Sequence, residues 1–136
     1  MAFTVNDVEV AFMPEDRTYR EAFGTLVREL DAIQEALYRV QKKCRHGRRN
    51  AGRKAYEVFT SVDTEMRAKL DVLLGRGICE AIFGTAPVMA LADHAPLWFN
   101  LVEGLYSSMG PTDRPKDCDA VIMKYRTKRI ARKQIS

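Results

Sequence analysis

Seven apolar residues, Phe23, Leu26, Leu30, Ile33, Leu37, Val40 and Cys44, follow one another at alternating intervals of three and four. That spacing places them along one stripe of a helix for three heptads and predicts a helix over residues 18–46. A helix with a single apolar seam is not stable alone in water, so the seam demands a partner element. Val27 and Tyr38 widen the stripe on its flank. Gly24 lies inside the helix at a cost of about 1 kcal/mol relative to Ala. A second run, Ala51, Ala55, Val58, Phe59, Val62, Met66, Leu70 and Leu73, has the same period. Between the two, Gly47 suits a helix C-cap and Asn50 an N-cap. Two arrangements follow: an antiparallel helical hairpin with a short joint, or one continuous helix that frays near Gly47 and Gly52.

The flanking segments are shorter. Two β-prone runs around Asn6-Asp7 predict an N-terminal hairpin, because Asn and Asp tolerate positive φ in a tight turn. An isolated hairpin is marginal, so it must pack on the rest of the chain. After Gly75-Arg76-Gly77, residues 78–84 read as a compact helix closed by Gly84. Pro87 suits the start of a further helix that runs to about Met109, kinked or restarted at Pro96, which lacks a backbone donor. Residues 110–115 have the composition of a linker, and 116–136 read as a polar, basic helix or tail with frayed final turns. The expected architecture is mainly α: a helical hairpin, further helices, a short N-terminal β-hairpin and a basic C-terminal arm. It divides into a domain of residues 1–109 and a linker and arm of residues 110–136.

The formal charge of +4 conceals an uneven distribution. Residues 39–54 carry eight basic side chains and no acidic one, residues 114–136 carry eight basic and two acidic, and the remainder is acidic. No apolar run approaches the 18 or so residues that cross a bilayer, and the N-terminus lacks the pattern of a secretory signal. The three cysteines are odd in number and form no CxxC pair, which fits a reducing compartment better than a disulfide framework.

Motifs for catalysis are sparse, and no catalytic residue, metal site or cofactor is assigned. His46 lies among cations. Asp93-His94 has the form of a base and its orienter, but no nucleophile accompanies it at a readable spacing; a helix-start Asp beside a surface His is the plainer reading. The cysteines lack the short ligand pairs of zinc modules. Gly75-x-Gly77 follows a helix and lacks the remainder of a phosphate loop.

Lys42, Lys43, Arg45, Arg48, Arg49, Arg53 and Lys54 cluster with Arg39 at the expected tip of the hairpin. Such a cluster repels itself, so phosphate, an acidic protein partner, or solvent and intramolecular acids must neutralise it. The C-terminal run, read as a free basic tail, offers nucleic acid, a membrane surface or an acidic protein groove as its target, and the membrane is the weakest of these because the run lacks the apolar face of an interfacial helix.

Residues 73–84, Leu-Leu-Gly-Arg-Gly-Ile-Cys-Glu-Ala-Ile-Phe-Gly, follow a distinctive pattern: aromatic, Gly, any residue, Gly, two residues, then Glu-Lys-Ile-Phe-Gly. Leu74 replaces the aromatic and Ala81 the Lys. A tail with Lys124, Tyr125, Arg129, Arg132 and Lys133 closes the chain. With the strand pair and charged helical hairpin before them, these segments resemble the small tail-assembly-chaperone-like proteins of siphophages and prophages of Gram-positive bacteria. Pro96 departs from that family's usually unbroken helix. The resemblance implies a non-enzymatic protein in the cytoplasm of the bacterial host that binds the tape-measure protein, tail-tube subunits, or both. Trp98, Phe99, Leu105 and the arm residues Lys124, Tyr125, Arg129, Arg132 and Lys133 are the expected partner contacts. A nucleic-acid-binding or host-factor-binding phage regulator using residues 39–54 is the competing expectation, and self-association stays open.

Overall fold

A computed structural model describes residues 2–45 and 51–135. The architecture is mainly α. β1 (Ala2–Val5) and β2 (Val8–Ala11) pair antiparallel, with Val5 opposite Val8. Asn6 and Asp7 make the turn with φ of 49° and 64°, the conformations a two-residue hairpin requires. The hairpin is anchored as its marginal stability demands: Val10 and Phe12 are buried, and the Tyr19 hydroxyl donates to the Ala11 carbonyl at 2.9 Å.

Helix α1 spans Arg17–Arg45 and α2 spans Ala51–Leu74. Lys69, near the end of α2, meets Glu29, in the middle of α1, at 2.8 Å, the relationship of two antiparallel helices. Phe23, Leu26, Leu30 and Leu37 of the seam are buried in one cluster with Met66, Leu70 and Leu74 of α2. Ile33 and Val40 are half-buried. The hairpin is therefore the arrangement adopted, and not a continuous helix. Val27 joins the core, whereas Tyr38 is 55% exposed, so the stripe widens on one flank only. The proposed caps Gly47 and Asn50 lie outside the described residues.

Gly24 has a structural reason. The 3-10 turn Lys116–Cys118 crosses α1 at this point, and a methyl group on Gly24 would overlap the Asp117 carboxylate and come within 3.1 Å of Pro115 Cβ. The cost in helix propensity is offset by close packing of the segment that leads into the C-terminal helix.

Helix α3 (Ile78–Phe83) follows a turn at Gly75 and Gly77 and ends at Gly84. Asp71 on α2 accepts from the Cys79 amide at 2.9 Å, and Arg67 donates to the Gly84 and Ala86 carbonyls. Two charged residues of α2 thereby hold both ends of α3.

Residues 87–96 are not helical, contrary to expectation. Leu91–Ala92 (β3) pairs antiparallel with Ala95–Pro96 (β4) around Asp93 and His94, whose φ values are 52° and 64°. Proline drives the residue before it out of the helical region, and Asp93-His94 accepts the left-handed turn this leaves. Asp93-His94 is thus a hairpin turn, not a helix start. Helix α4 (Leu97–Ser108) begins directly after Pro96. Its first amides, which no helical carbonyl can reach, are satisfied by Ala90 and Val88 carbonyls at 2.9 and 3.0 Å. Helix α5 (Asp119–Ile135) completes the chain.

Candidate functional site

The C-terminal segment does not behave as a separate arm. Cys118, Ile122 and Tyr125 are spaced by four and three residues, and all three are buried. They form an apolar stripe, begun by the 3-10 turn at Cys118 and continued by Ile122 and Tyr125 of α5, that packs into the core. The Tyr125 ring stacks on Phe99 at 5.0 Å and meets Trp98 edge-on at 5.2 Å. Trp98 donates its indole N–H to Gln34 on α1 at 3.0 Å. Trp98, Phe99 and Leu105 are each at most 1% exposed. The expectation that they touch a partner is therefore corrected: their helical spacing is that of a core, and α5 covers part of it.

The cations of α5 are also largely engaged within the chain. Lys124 bridges Asp31 and Glu35 on α1, and Lys128 lies 3.7 Å from Glu35. Arg126 and Arg129 converge on Glu103 of α4 at 2.8 and 2.6 Å. Arg129 also donates to Asn100, Arg132 to the His94 carbonyl at 2.8 Å, and Lys133 lies 3.7 Å from Asp93. Burial alone would raise the Glu103 carboxyl, but hydrogen bonds from Arg129 and Arg126 outweigh it and hold the group below its usual range. The Lys124 hydrogen bond, with smaller help from Lys128, holds Glu35 low despite partial desolvation. The picture of a frayed basic arm, with its charges available for electrostatic capture, gives way to a helix latched onto an acidic body.

The basic segment at the hairpin end divides differently. Arg39, Lys42 and Lys43 are exposed on the last turns of α1 and have no ion-pair partner among the described residues. Arg53 is exposed on α2, 3.9 Å from Glu57. Arg45 and Lys54 belong to α1 and α2, and Arg48 and Arg49 lie outside the described residues.

Two concave surfaces stand out. One, of about 430 Å³, lies between α1, the β3–β4 hairpin and α5; Tyr38, Leu91, Pro96 and Ala131 supply its carbon surface, and Lys128 and Arg132 its positive charge. The other, also about 430 Å³, lies between the β1–β2 turn, α3 and α4, with Val5, Ile82, Phe83, Leu97 and Leu101 in its walls. Among the described residues no three His, Cys, Asp or Glu side chains come together as a metal would require. Burial pushes the Cys79 and Cys118 thiols up to about 12, so neither is a thiolate at neutral pH.

Sequence reasoning missed Asp31, Glu35 and Glu103 as the residues that receive the basic helix, and Leu91 as an exposed apolar residue. A signal for the first pair existed. Asp31 and Glu35 are four residues apart on one helix, as are Lys124 and Lys128 on another, and such pairs match when two helices lie side by side. No protein-family model matches this chain, and searches of curated proteins and of solved structures return no match.

Proposed function

We propose that this chain is a non-enzymatic assembly chaperone of phage tails, acting in the host cytoplasm to bind the tape-measure protein, tail-tube subunits, or both. The observation that carries the proposal is segment 73–84, whose sequence resembles the tail-assembly-chaperone signature and whose glycines sit at backbone positions that call for glycine. Gly75, Gly77 and Gly84 have φ values of 125°, 76° and 60°, conformations that residues with a Cβ rarely adopt. The glycines of the pattern thus stand where this backbone calls for glycine, so the segment's letters have a structural reason in this chain. The absence, among the described residues, of any helix long and apolar enough to cross a membrane is compatible with this assignment.

The test is co-expression with the tape-measure protein encoded by the same genome. The tape-measure protein is expected in the soluble fraction with this chain and in the pellet without it; equal solubility in both cases sinks the proposal.

A second function is favoured by one observation. Arg39, Lys42 and Lys43 are exposed, close together on α1 and unpaired among the described residues. They suit a nucleic-acid-binding or host-factor-binding regulator. Titration with duplex and single-stranded nucleic acid at two salt concentrations separates the two functions, because phosphate contacts weaken steeply with salt. Absent or salt-insensitive binding removes the nucleic-acid alternative.

A further inference from the structure

We propose that the groove between α1, the β3–β4 hairpin and α5 docks an acidic amphipathic helix of a protein partner. The proposal rests on the protein-binding part of the proposed function and adds to it the surface and the chemistry of the partner.

Two large apolar side chains of this groove face solvent, Tyr38 at 55% and Leu91 at 61% exposure. They come from different elements, α1 and β3, yet line the same cavity of about 430 Å³. Pro96 and Ala131 continue the carbon surface between them. A floor of this kind takes aliphatic anchors from a helix laid between two others.

Charge selects the kind of helix. Glu35, the acid that lines the groove, is already neutralised by Lys124 at 3.1 Å, with Lys128 at 3.7 Å. Arg132 uses one N–H on the His94 carbonyl and has no ion-pair partner among the described residues. One turn beyond Tyr38 on α1 stands Lys42, exposed, with Arg39 and Lys43 beside it. Asp31 and Glu35 balance Lys124 and Lys128, so Arg132 is the surplus cation of the groove, and the cations of α1 that are unpaired among the described residues begin one turn away. A helix with Leu or Ile on one face and Asp or Glu flanking them matches both properties. Such charges steer encounter and fix register, while the apolar anchors supply affinity. A nucleic-acid strand matches the charge only. It stacks bases on several aromatics, and Tyr38 is the sole well-exposed ring in this groove.

The experiment uses the full chain and a labelled synthetic peptide of about 16 residues, with Leu at helical spacing and Glu between. Controls are a scrambled peptide of the same composition and a single-stranded oligonucleotide of about 12 nucleotides. Fluorescence anisotropy is read for the parent chain, Leu91→Ser, Tyr38→Ser, the double variant Lys128→Gln/Arg132→Gln, and Val72→Ser. Val72 is 89% exposed and lies outside the groove. The patterned peptide is expected to bind, and each groove variant to weaken it at least about tenfold, with Val72→Ser unchanged. Because Leu91 and Tyr38 lie on different elements, parallel losses with unchanged circular dichroism cannot come from local unfolding of one of them.

Equal binding of the scrambled peptide, or undiminished binding by the groove variants, overturns the proposal. So does an oligonucleotide that binds more tightly than the peptide and is lost in the double variant, which makes the surface a polyanion site. The outcome is separable from tail assembly. If the groove variants lose the peptide but the chain has no effect on tape-measure solubility, the groove stands and the tail function falls. If all groove variants keep the tape-measure protein soluble, the tail function stands and the groove falls.

Discussion

Tyr125 donates its hydroxyl to Oδ1 of Asp31 at 2.9 Å, and the ammonium of neighbouring Lys124 meets the same oxygen. One carboxylate on α1 thus holds two consecutive residues of α5, while the Tyr125 ring lies over Phe99 in the core. Apolar and ionic contacts converge at a single point, and that point determines whether the C-terminal segment is a tail or a helix of the domain. Asp31→Ala leaves the buried Tyr125 hydroxyl without its acceptor and Lys124 with Glu35 alone, at an expected cost of about 1–3 kcal/mol. Tyr125→Phe keeps the ring and loses only the hydrogen bond, at about 1 kcal/mol. Urea denaturation measures both; an Asp31→Ala midpoint equal to the parent's contradicts the latch.

The second prediction concerns acid. Glu103 and Glu35 are both held below the usual carboxylate range in the folded chain. The unfolded chain therefore binds protons more readily than the folded one as pH falls. Their contribution is fully present above the unfolded value, about 4.3 for Glu, and is lost as pH drops through the folded values. Stability to urea is expected to fall between pH 5 and 3, all at about the range set by carboxylate titration, and Glu103→Gln is expected to flatten that slope. Lys124 has the opposite sense. Burial works against its charge, but hydrogen bonds to Asp31 and Glu35 raise it. Its stabilisation is present below about 10.4 and declines as pH rises further. A Glu103→Gln profile parallel to the parent's contradicts the assignment of the acid limb.

Two glycines are expected to respond with opposite signs to the same substitution. Gly24 sits under Pro115 and Asp117, and Asp117 is held by Arg28 at 3.1 Å, so an added methyl must turn the Asp117 carboxylate out of its ion pair and press on Pro115. Gly24→Ala is expected to lose about 1 kcal/mol net, because the clash exceeds the gain in helix propensity. Gly104, exposed on α4, has no atom within 4 Å of where a Cβ would stand. Gly104→Ala is expected to gain up to about 1 kcal/mol. Thermal denaturation of the two variants decides it; a stabilised Gly24→Ala contradicts the close crossing of α1.

Trp98 is the only tryptophan and is fully buried against Tyr125 and Phe99. Its emission is expected to be blue-shifted and protected from iodide in the free chain, and to move to the red on unfolding. Trp98→Ala is expected to cost about 3–5 kcal/mol, the range for a large aromatic removed from a packed interior. Emission typical of exposed indole in the native chain contradicts the docking of α5 over this cluster.

The parts of the fold legible in the sequence are those with a local cause. The three-and-four spacing from Phe23 to Leu37 placed a helix, and Asn6-Asp7 placed a turn, because period and φ preference act within a few residues. Residues 87–96 were misread because an apolar run with prolines at both ends has no period of its own, and the carbonyls that receive the start of α4 come from the same run. The spacing of Trp98 and Phe99 suits a core as well as a partner groove, because spacing alone cannot say which element covers an apolar face; here α5 does. The docking of α5 depends on acids more than 90 residues away in the case of Lys124 and Asp31. A charge run reads as a tail until its counter-charges are known. The groove was invisible for the same reason: Tyr38, Leu91 and Arg132 become neighbours only after α5 is in place.

Binding of a protein partner through the groove joins the proposed function to the surface that would serve it. The most direct measurement is co-expression with the tape-measure protein of the same genome, followed by size-exclusion chromatography with light scattering. The parent chain is expected to co-elute with a soluble tape-measure protein, and the variant carrying Leu91→Ser, Lys128→Gln and Arg132→Gln to elute alone with its own fold intact. A tape-measure protein that is soluble and elutes without this chain contradicts the account.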